Sequence, residues 1–177
     1  MDLYSTKLKV YDAVCQKYIS FIFCFSAFIS LEEIEIGNEN FPSSEKFILD
    51  SLHQLKSLKI GGNSFTNHEN SYGFDYTRSF HILNCGKLEL IAIARYSFSD
   101  FAGEFELKSL PSLKSIEMGE YDKSSNCFYG SSFIIKGMDA LLTNIIDLPS
   151  LKTIQLGYDV FAVPSETVIH STCQEFF

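Results

Sequence analysis

The sequence predicts a β-rich solenoid, in which the chain winds in successive coils and forms little or no helix. The first observation is a phrase read from Phe105 to Gly119, F-x-L-x-x-L-x-x-L-x-x-I-x-I-G, which recurs in five segments. The second is its period, because the central leucines of the five segments follow one another at spacings of 24, 33, 25 and 38 residues. The third is a content of 17 phenylalanines and no tryptophan, which two phenylalanine columns of the repeat explain.

Each column of the repeat has a physical meaning. The two residues of I-x-I lie two apart, so both side chains point to one face of a strand, and F-x-L makes a second short strand. The apolar residues between them keep a side chain turned inward at every third position. A coil of about 24 residues cannot bury enough surface to stand alone, so neighbouring coils must stack. The central leucines are predicted to form one interior row: Leu31, Leu55, Leu88, Leu113 and Leu151.

Two further columns complete the unit. A glycine follows I-x-I in most units, at Gly37, Gly61, Gly119 and Gly157, with Ala94 in that place in the third, and we expect it to supply a positive φ. Four residues later comes a phenylalanine, at Phe41, Phe65, Phe98 and Phe161, and in the fourth unit it arrives late, as Phe128. The glycine is expected at a turn directly after the strand.

Residues 1–22 are predicted to be either an N-terminal segment or a degenerate coil. A degenerate coil would use the apolar residues Leu8, Tyr11, Ala13 and Tyr18 as its core columns. A short helix over Leu8 to Ile19 is an equal alternative. Residues 18–31, YISFIFCFSAFISL, have the layout of a signal peptide because they are apolar and follow lysines. The register of Phe23, Phe25, Phe28 and Leu31 with the later units favours a repeat coil instead.

Residues 23–161 are predicted to form about five coils, and 162–177 an incomplete C-terminal coil in which Cys173 and Phe176 fill the next core columns. Two insertions lengthen the period. Asn63 to Arg78 and Tyr121 to Ser132 are rich in Asn, Ser, Tyr and Gly, so both should be exposed loops. Gly137 to Thr143 is read as a single helical turn. Between 133 and 151 two registers compete, one through Phe133 and Ile135 and one through Ile145 and Leu148.

At these columns the sequence resembles leucine-rich-repeat proteins, most closely the divergent BspA-like class, with periods in the range of 20–29 residues. Cys85-Gly-Lys-Leu-Glu-Leu-Ile-Ala-Ile matches the C-x-x-L-x-x-I-x-I core of that class. The resemblance covers about Phe23 to Phe161 and implies a right-handed coil, a parallel sheet and a binding role. The asparagine ladder of regular members would fall at Glu39, Asn63, Tyr96, Tyr121 and Asp159, where one unit conforms. The departure favours the divergent class.

The net charge and the cysteine count limit the classes of binding partner and the cellular location that we expect. A formal net charge of −8 argues against nucleic acid, which needs a basic footprint, and against an anionic membrane surface. The five cysteines form no C-x-x-C pair, and an odd count fits a reducing compartment, so a cytoplasmic location is favoured over the cell surface. Cys85 occupies a core column and is expected to pack as a small hydrophobe.

No catalytic, metal or cofactor pattern emerges. The four histidines lack metal-ligand spacing, and neither a G-x-S-x-G elbow nor a complete phosphate loop is present. His81, on the outward side of its strand, is expected to be solvated. Asp100 with Glu104, and the group Glu32, Glu33 and Glu35, are read as acidic solvated faces rather than as catalytic pairs. The sequence therefore predicts no enzyme and no cofactor.

The remaining candidate is the outward row of the I-x-I strands, a mixed-polarity surface for a protein partner. Its residues are Glu35, Lys59, Ala92, Glu117 and Gln155, and the tyrosines Tyr72 and Tyr76 of the first insertion are a second contact region. We expect a non-enzymatic protein-interaction module that is part of a longer array, or whose uncapped ends are covered by a partner or by self-association. The alternative is a cell-surface adhesin or structural surface repeat, with 18–31 as its targeting segment.

Overall fold

A computed structural model describes residues 5–15, 21–24, 28, 30–120, 122–131, 134–135, 145–146, 150–162 and 168–169. Within these residues the chain forms thirteen β-strands and no helix. The strands are β1 Lys7–Val10, β2 Phe21–Cys24, β3 Glu33–Ile36, β4 Ser44–Asp50, β5 Ser57–Ile60, β6 Ser79–Leu83, β7 Leu90–Ile93, β8 Phe105–Lys108, β9 Ser115–Met118, β10 Ile134–Ile135, β11 Ile145–Ile146, β12 Thr153–Leu156 and β13 Val168–Ile169.

The strands form two parallel sheets. The first sheet has six strands in the order β1-β3-β5-β7-β9-β12, and the second has seven in the order β13-β10-β11-β8-β6-β4-β2. From β1 to β9 the chain passes from one sheet to the other at every strand, so I-x-I always enters the first sheet and F-x-L the second. The β-rich, parallel-stranded fold class predicted from the sequence is confirmed.

The core lies between the two sheets, and the repeat columns fill it. Leu55, Leu88 and Leu113 have no solvent exposure, nor has Leu31, and Leu151 is 8% exposed. The four fully buried leucines lie in the same local turn. In each, the leucine N–H donates a hydrogen bond to the carbonyl three residues earlier, at 3.0–3.1 Å. Cys85 is fully buried, and burial raises the pKa of its thiol to about 11, as expected of a small core hydrophobe.

Two phenylalanine stacks run through this core. The corner phenylalanines lie ring on ring, with centroids 4.7 Å apart for Phe65 and Phe98, 5.0 Å for Phe98 and Phe128, and 5.5 Å for Phe128 and Phe161. The rings of Phe47, Phe80 and Phe105, from the second sheet, stack at 5.0 and 5.1 Å. The late phenylalanine Phe128 thus joins its predicted column, and the insertion before it is accommodated outside the stack.

The predicted positive φ of the glycine after I-x-I is found at one position, and at the others the glycine is required for another reason. Of these glycines only Gly119 has a positive φ, at 74°. A Cβ on Gly61 would lie 2.6 Å from the backbone nitrogen of Asn38, and a Cβ on Gly37 would lie 2.7 Å from that of Asp12. The glycines therefore allow the corners of neighbouring units to touch. Positive φ falls instead on later corner residues, including Asn63, Phe65, Tyr96 and Phe98.

A polar ladder joins the corners, and in the first three units it lies one residue after the asparagine position considered from the sequence. Its members lie directly before the corner phenylalanine and donate to a carbonyl of the preceding unit. Asn40 Nδ2 donates to Tyr11 O at 2.9 Å, Ser64 Oγ to Gly37 O at 2.8 Å, Ser97 Oγ to Gly61 O, and Cys127 Sγ to Ala94 O at 3.3 Å. The four donor side chains are buried, and each has a hydrogen-bond partner, so unpaired polar groups are avoided where the corners stack.

The backbone bears on two segments for which the sequence left alternatives. Lys7–Val10 is a strand parallel to β3, so the alternative helix over Leu8 to Ile19 is wrong where that segment is described. Ile145 pairs with Leu107, which places the register through Ile145 directly beside β8, while Ile134–Ile135 forms the next strand beyond it. Tyr18, Phe25, Leu148, the proposed turn at Gly137 to Thr143, and Cys173 and Phe176 lie outside the described residues.

Candidate binding face

The outward row predicted from the sequence is a continuous row on the first sheet. Cα register pairs Glu35 with Lys59, Lys59 with Ala92, Ala92 with Glu117, and Glu117 with Gln155. In β3, β5, β7 and β9 the residues that alternate with this row are buried at 3% exposure or less. Because successive side chains of a strand point to opposite faces, the inner columns and the outer row are set by the same alternation.

An open groove of about 420 Å³ lies on this outer face. Four of the five row residues line it, namely Glu35, Lys59, Ala92 and Glu117, and Gln155 lies outside it. Asp12 and Asn38 line the end of the groove towards the corners, together with Gly37, Gly61 and Gly119. The structure therefore gathers most of the predicted face residues in one depression that crosses several strands.

Ion pairs neutralise one end of the face. Lys7 Nζ lies 2.7 Å from Glu33 Oε2, and Lys9 Nζ lies 2.8 Å from Glu35 Oε1. The hydrogen bond from Lys7 lowers the pKa of Glu33, and that from Lys9 lowers the pKa of Glu35. These side chains are largely solvated, so the pairs add little stability and mainly fix the charge pattern.

A second row of charges borders the face just before the strands begin. Lys56 Nζ contacts Glu32 Oε2 at 2.6 Å, and Lys114 Nζ contacts Glu89 Oε2 at 2.8 Å. The predicted acidic group at Glu32, Glu33 and Glu35 is therefore solvated, but each of its members is paired with a lysine. The net charge around these three glutamates is consequently less negative than the glutamates alone suggest.

The centre of the face is apolar. Leu90 and Ala92 are the two outward residues of β7, and both are half-buried. Leu90 lies in register between Ser57 and Ser115. These two aliphatic side chains are therefore bordered by hydroxyl and charged groups of the neighbouring strands.

The predicted tyrosines do not line this groove. Tyr72 and Tyr76 are 43% and 73% exposed on the first insertion. The ring of Tyr72 stacks on that of Tyr129 with centroids 3.8 Å apart, and Phe74 meets both rings edge to face at 5.9 and 5.8 Å. Partial burial and the Tyr72 hydroxyl raise the pKa of Tyr129. The two insertions thus contact each other through an exposed aromatic cluster that the sequence did not predict.

A buried ion pair anchors the first insertion and corrects one expectation. Asp100 was expected to be solvated beside Glu104, but its side chain is 4% exposed and lies 3.1 Å from Arg78 Nη1. Arg78 Nη1 also donates to Pro42 O at 3.0 Å. Burial raises the pKa of Asp100, and the charge of Arg78 opposes that shift. The insertion is therefore an exposed loop with a buried base.

One histidine on the second sheet departs from its expected environment. His81 is half-buried on the second sheet, with Nδ1 3.3 Å from Glu106 Oε2, rather than freely solvated as expected. Across the described ranges no group of three or more His, Cys, Asp or Glu side chains is placed to hold a metal ion. The same part of the chain has no helix with the length and apolarity needed to cross a bilayer.

Comparisons with protein-family models, with curated proteins and with solved structures give no match for this chain. The class that the described residues define is a parallel, two-sheet β protein built from a repeat of about 24 residues. Its particular family and activity are matters for proposal.

Proposed function

We propose that the chain is a right-handed, leucine-rich-repeat-like solenoid of the divergent BspA-like class that acts as a non-enzymatic protein-interaction module. Its binding surface is the outer face of the first sheet. The observation that carries the proposal is the groove of about 420 Å³, lined by Glu35, Lys59, Ala92 and Glu117. These residues occupy equivalent positions in four successive units.

The architecture supports the solenoid part of the proposal. From β1 to β9 the chain alternates between two parallel sheets, and at four corners a short side chain donates a hydrogen bond to a backbone carbonyl of the preceding unit. Stacked units of this kind bury a continuous core and leave one sheet face as an extended surface for partners. The chemistry of the face supports the interaction part, because Leu90 and Ala92 form an apolar centre within a polar rim.

A matched pair of variants tests the proposed surface. Leu90→Arg places a charge in the centre of the first sheet's face. Ile48→Arg places the same charge on the outer face of the second sheet, on β4 next to the edge strand, where Ile48 is also half-buried. Immobilised wild type and both variants are used to capture proteins from the native cell extract, and captured proteins are quantified by mass spectrometry. We expect Leu90→Arg to lose specific partners that Ile48→Arg retains.

The result that would overturn the proposal is equal capture by all three proteins, or loss with Ile48→Arg alone. Circular dichroism of both variants checks that they keep the β-rich fold, so a loss of partners is not a loss of structure. A catalytic activity abolished by Leu90→Arg with no partner captured would count against the non-enzymatic assignment.

A further inference from the structure

Two opposite charges on the first sheet's face have no ion-pair partner among the described residues. Lys59 on β5 and Glu117 on β9 lie in the same row, on either side of Ala92. Neither forms an ion pair within 4.0 Å, although Glu117 accepts a hydrogen bond from Ser115 Oγ at 3.0 Å. Both side chains are exposed.

The neighbouring charges are already engaged, which singles out these two. Glu35, the nearest acid in the row to Lys59, is bound to Lys9 at 2.8 Å. Asp12 accepts hydrogen bonds from the backbone and side-chain amides of Asn38 at 2.8 and 3.1 Å, and these bonds lower its pKa. At the other end Gln155 is uncharged. The charge of Lys59 lowers the pKa of Glu33 and of Glu35, but Lys59 forms an ion pair with neither. Lys59 and Glu117 therefore face the solvent on either side of Ala92 without an ion pair.

The distance between the two charges selects a shape of partner. They stand on strands two apart, and strands are about 4.8 Å apart, so their Cα atoms are separated by about 9.6 Å. In an extended peptide, same-side residues lie about 6.8 or about 13.6 Å apart, and neither spacing fits. In a helix, residues i and i+7 lie on one face about 10.5 Å apart, with i+3 and i+4 between them.

We propose that this patch, defined by Lys59, Leu90, Ala92 and Glu117, binds an amphipathic helix of a protein partner that crosses the strands. An acidic side chain of the helix meets Lys59, and a basic side chain seven residues away meets Glu117. The apolar side chain between them packs on Leu90 and Ala92, where the small Ala92 side chain leaves room. The inference rests on the proposed function and specifies the partner of the same face.

Alanine-based helical peptides provide the probes. One peptide carries Glu, Leu and Lys at positions i, i+4 and i+7, two others carry Glu-Leu-Glu and Lys-Leu-Lys, and a Gln-Leu-Gln peptide is the neutral control. Each is titrated into the ¹⁵N-labelled protein, and amide shifts report both affinity and site. Wild type should bind the Glu-Leu-Lys peptide about threefold to tenfold more tightly than the other three, and added salt should reduce the difference.

Charge reversal gives the decisive pattern. Lys59→Glu leaves two anions beside Leu90 and Ala92 and should shift the preference to Lys-Leu-Lys, and Glu117→Lys should shift it to Glu-Leu-Glu. The double variant Lys59→Glu/Glu117→Lys should prefer Glu-Leu-Lys again, because a helix can lie across the sheet in the opposite direction. All substituted residues are exposed, so none of these variants should disturb the fold.

Equal binding of all four peptides, absence of binding, or shifts confined to residues away from β5, β7 and β9 would overturn the inference. The outcome separates from that of the proposed function. If Leu90→Arg abolishes partner capture while both charge reversals leave it unchanged, the face binds a partner of another chemistry and only the helix proposal fails. If capture is indifferent to Leu90→Arg as well, both proposals fail.

Discussion

Phe98 is the side chain on which most of the aromatic core converges, so truncating it tests the stacked architecture directly. The Phe98 ring is fully buried and contacts five other rings, with centroids between 4.7 and 5.5 Å away. The neighbours belong to three of the repeat units and to the loop after Phe98 itself. Phe98→Ala would therefore open a cavity between units rather than within one.

The expected cost follows from that environment. Replacing a buried phenylalanine by alanine costs about 3–5 kcal/mol, and the closed ring cluster around Phe98 favours the upper half of this range. For a chain of this size 1 kcal/mol corresponds to about 2–4 °C, so Tm should fall by about 6–20 °C. The measurement is thermal and urea unfolding followed by circular dichroism. Tyr76→Ala, at a side chain that is 73% exposed, is the control and should change stability by less than about 0.5 kcal/mol.

The backbone of Phe98 adds a sharper comparison. Its φ is 56°, in the left-handed region, which costs an L-residue about 1–2 kcal/mol and costs glycine nothing. Phe98→Gly should therefore be at least as stable as Phe98→Ala. At Ile116, in the middle of β9, the order should reverse, with glycine below alanine by about 0.5–1 kcal/mol. Equal losses for Phe98→Ala and Tyr76→Ala, or glycine below alanine at Phe98, would refute the assigned core and corner geometry.

Three further predictions follow from the column assignment. Ile116→Ala should lower the free energy of unfolding by about 2–5 kcal/mol and Glu117→Ala by well under 1, because Ile116 is fully buried and Glu117 is exposed. Equal shifts in the urea midpoint would contradict the assignment of Ile116 to the core and of Glu117 to the surface. Gly61→Ala should lower Tm, because the added Cβ would lie 2.6 Å from the Asn38 backbone nitrogen, whereas Gly86→Ala has nothing within 4 Å and should be neutral; the reverse order would show that the corners do not touch. The pKa of Asp12 is lowered by the Asn38 amides, so its ionised form stabilises the fold above about pH 4, and this stability is lost as pH falls through the lowered pKa. Unfolding measured between pH 2 and 6 should show a weaker pH dependence for Asp12→Asn than for wild type.

The inner columns could be read from the sequence because burial constrains every unit in the same way. Leu55, Leu88 and Leu113 recur at the same place in the template, and each is fully buried. The glycine column was located correctly, and the predicted positive φ is found at Gly119, but at Gly37 and Gly61 the cause is the close approach of the neighbouring corner. A glycine that relieves a positive φ and one that admits a neighbouring backbone look identical in one sequence, and the distance from Gly61 to Asn38 decides between them.

The polar ladder escaped detection because its chemistry varies while its geometry does not. Asn40, Ser64, Ser97 and Cys127 share only a donor on a short side chain and a place directly before a corner phenylalanine. The position directly before the phenylalanine could have indicated the ladder, since a small polar residue beside a buried aromatic ring needs a hydrogen-bond partner.

Contacts between the insertions could not be predicted from the repeat, because no repeat relation governs them. Tyr72 and Tyr129 stack although they belong to different insertions, and the contact depends on how far each loop reaches across the unit below. The burial of Asp100 depends likewise on Arg78, which belongs to an insertion found in one unit. The repeat period predicts the core positions that all units share, and it gives no information on the contacts made by an insertion present in one unit.

The separation of inner and outer columns bears on how the proposed binding face can work. Along β5, β7 and β9 the stability resides in Leu58, Ile91 and Ile116, which are fully buried, while Lys59, Ala92 and Glu117 face outward beside them. Changes to the buried residues cost several kcal/mol, and changes to the exposed ones cost a fraction of that. The charges on the face can therefore be altered at little cost to the fold. Binding specificity would then be set by a row of residues that the core does not constrain, and the charge-reversal variants test that row without testing the fold.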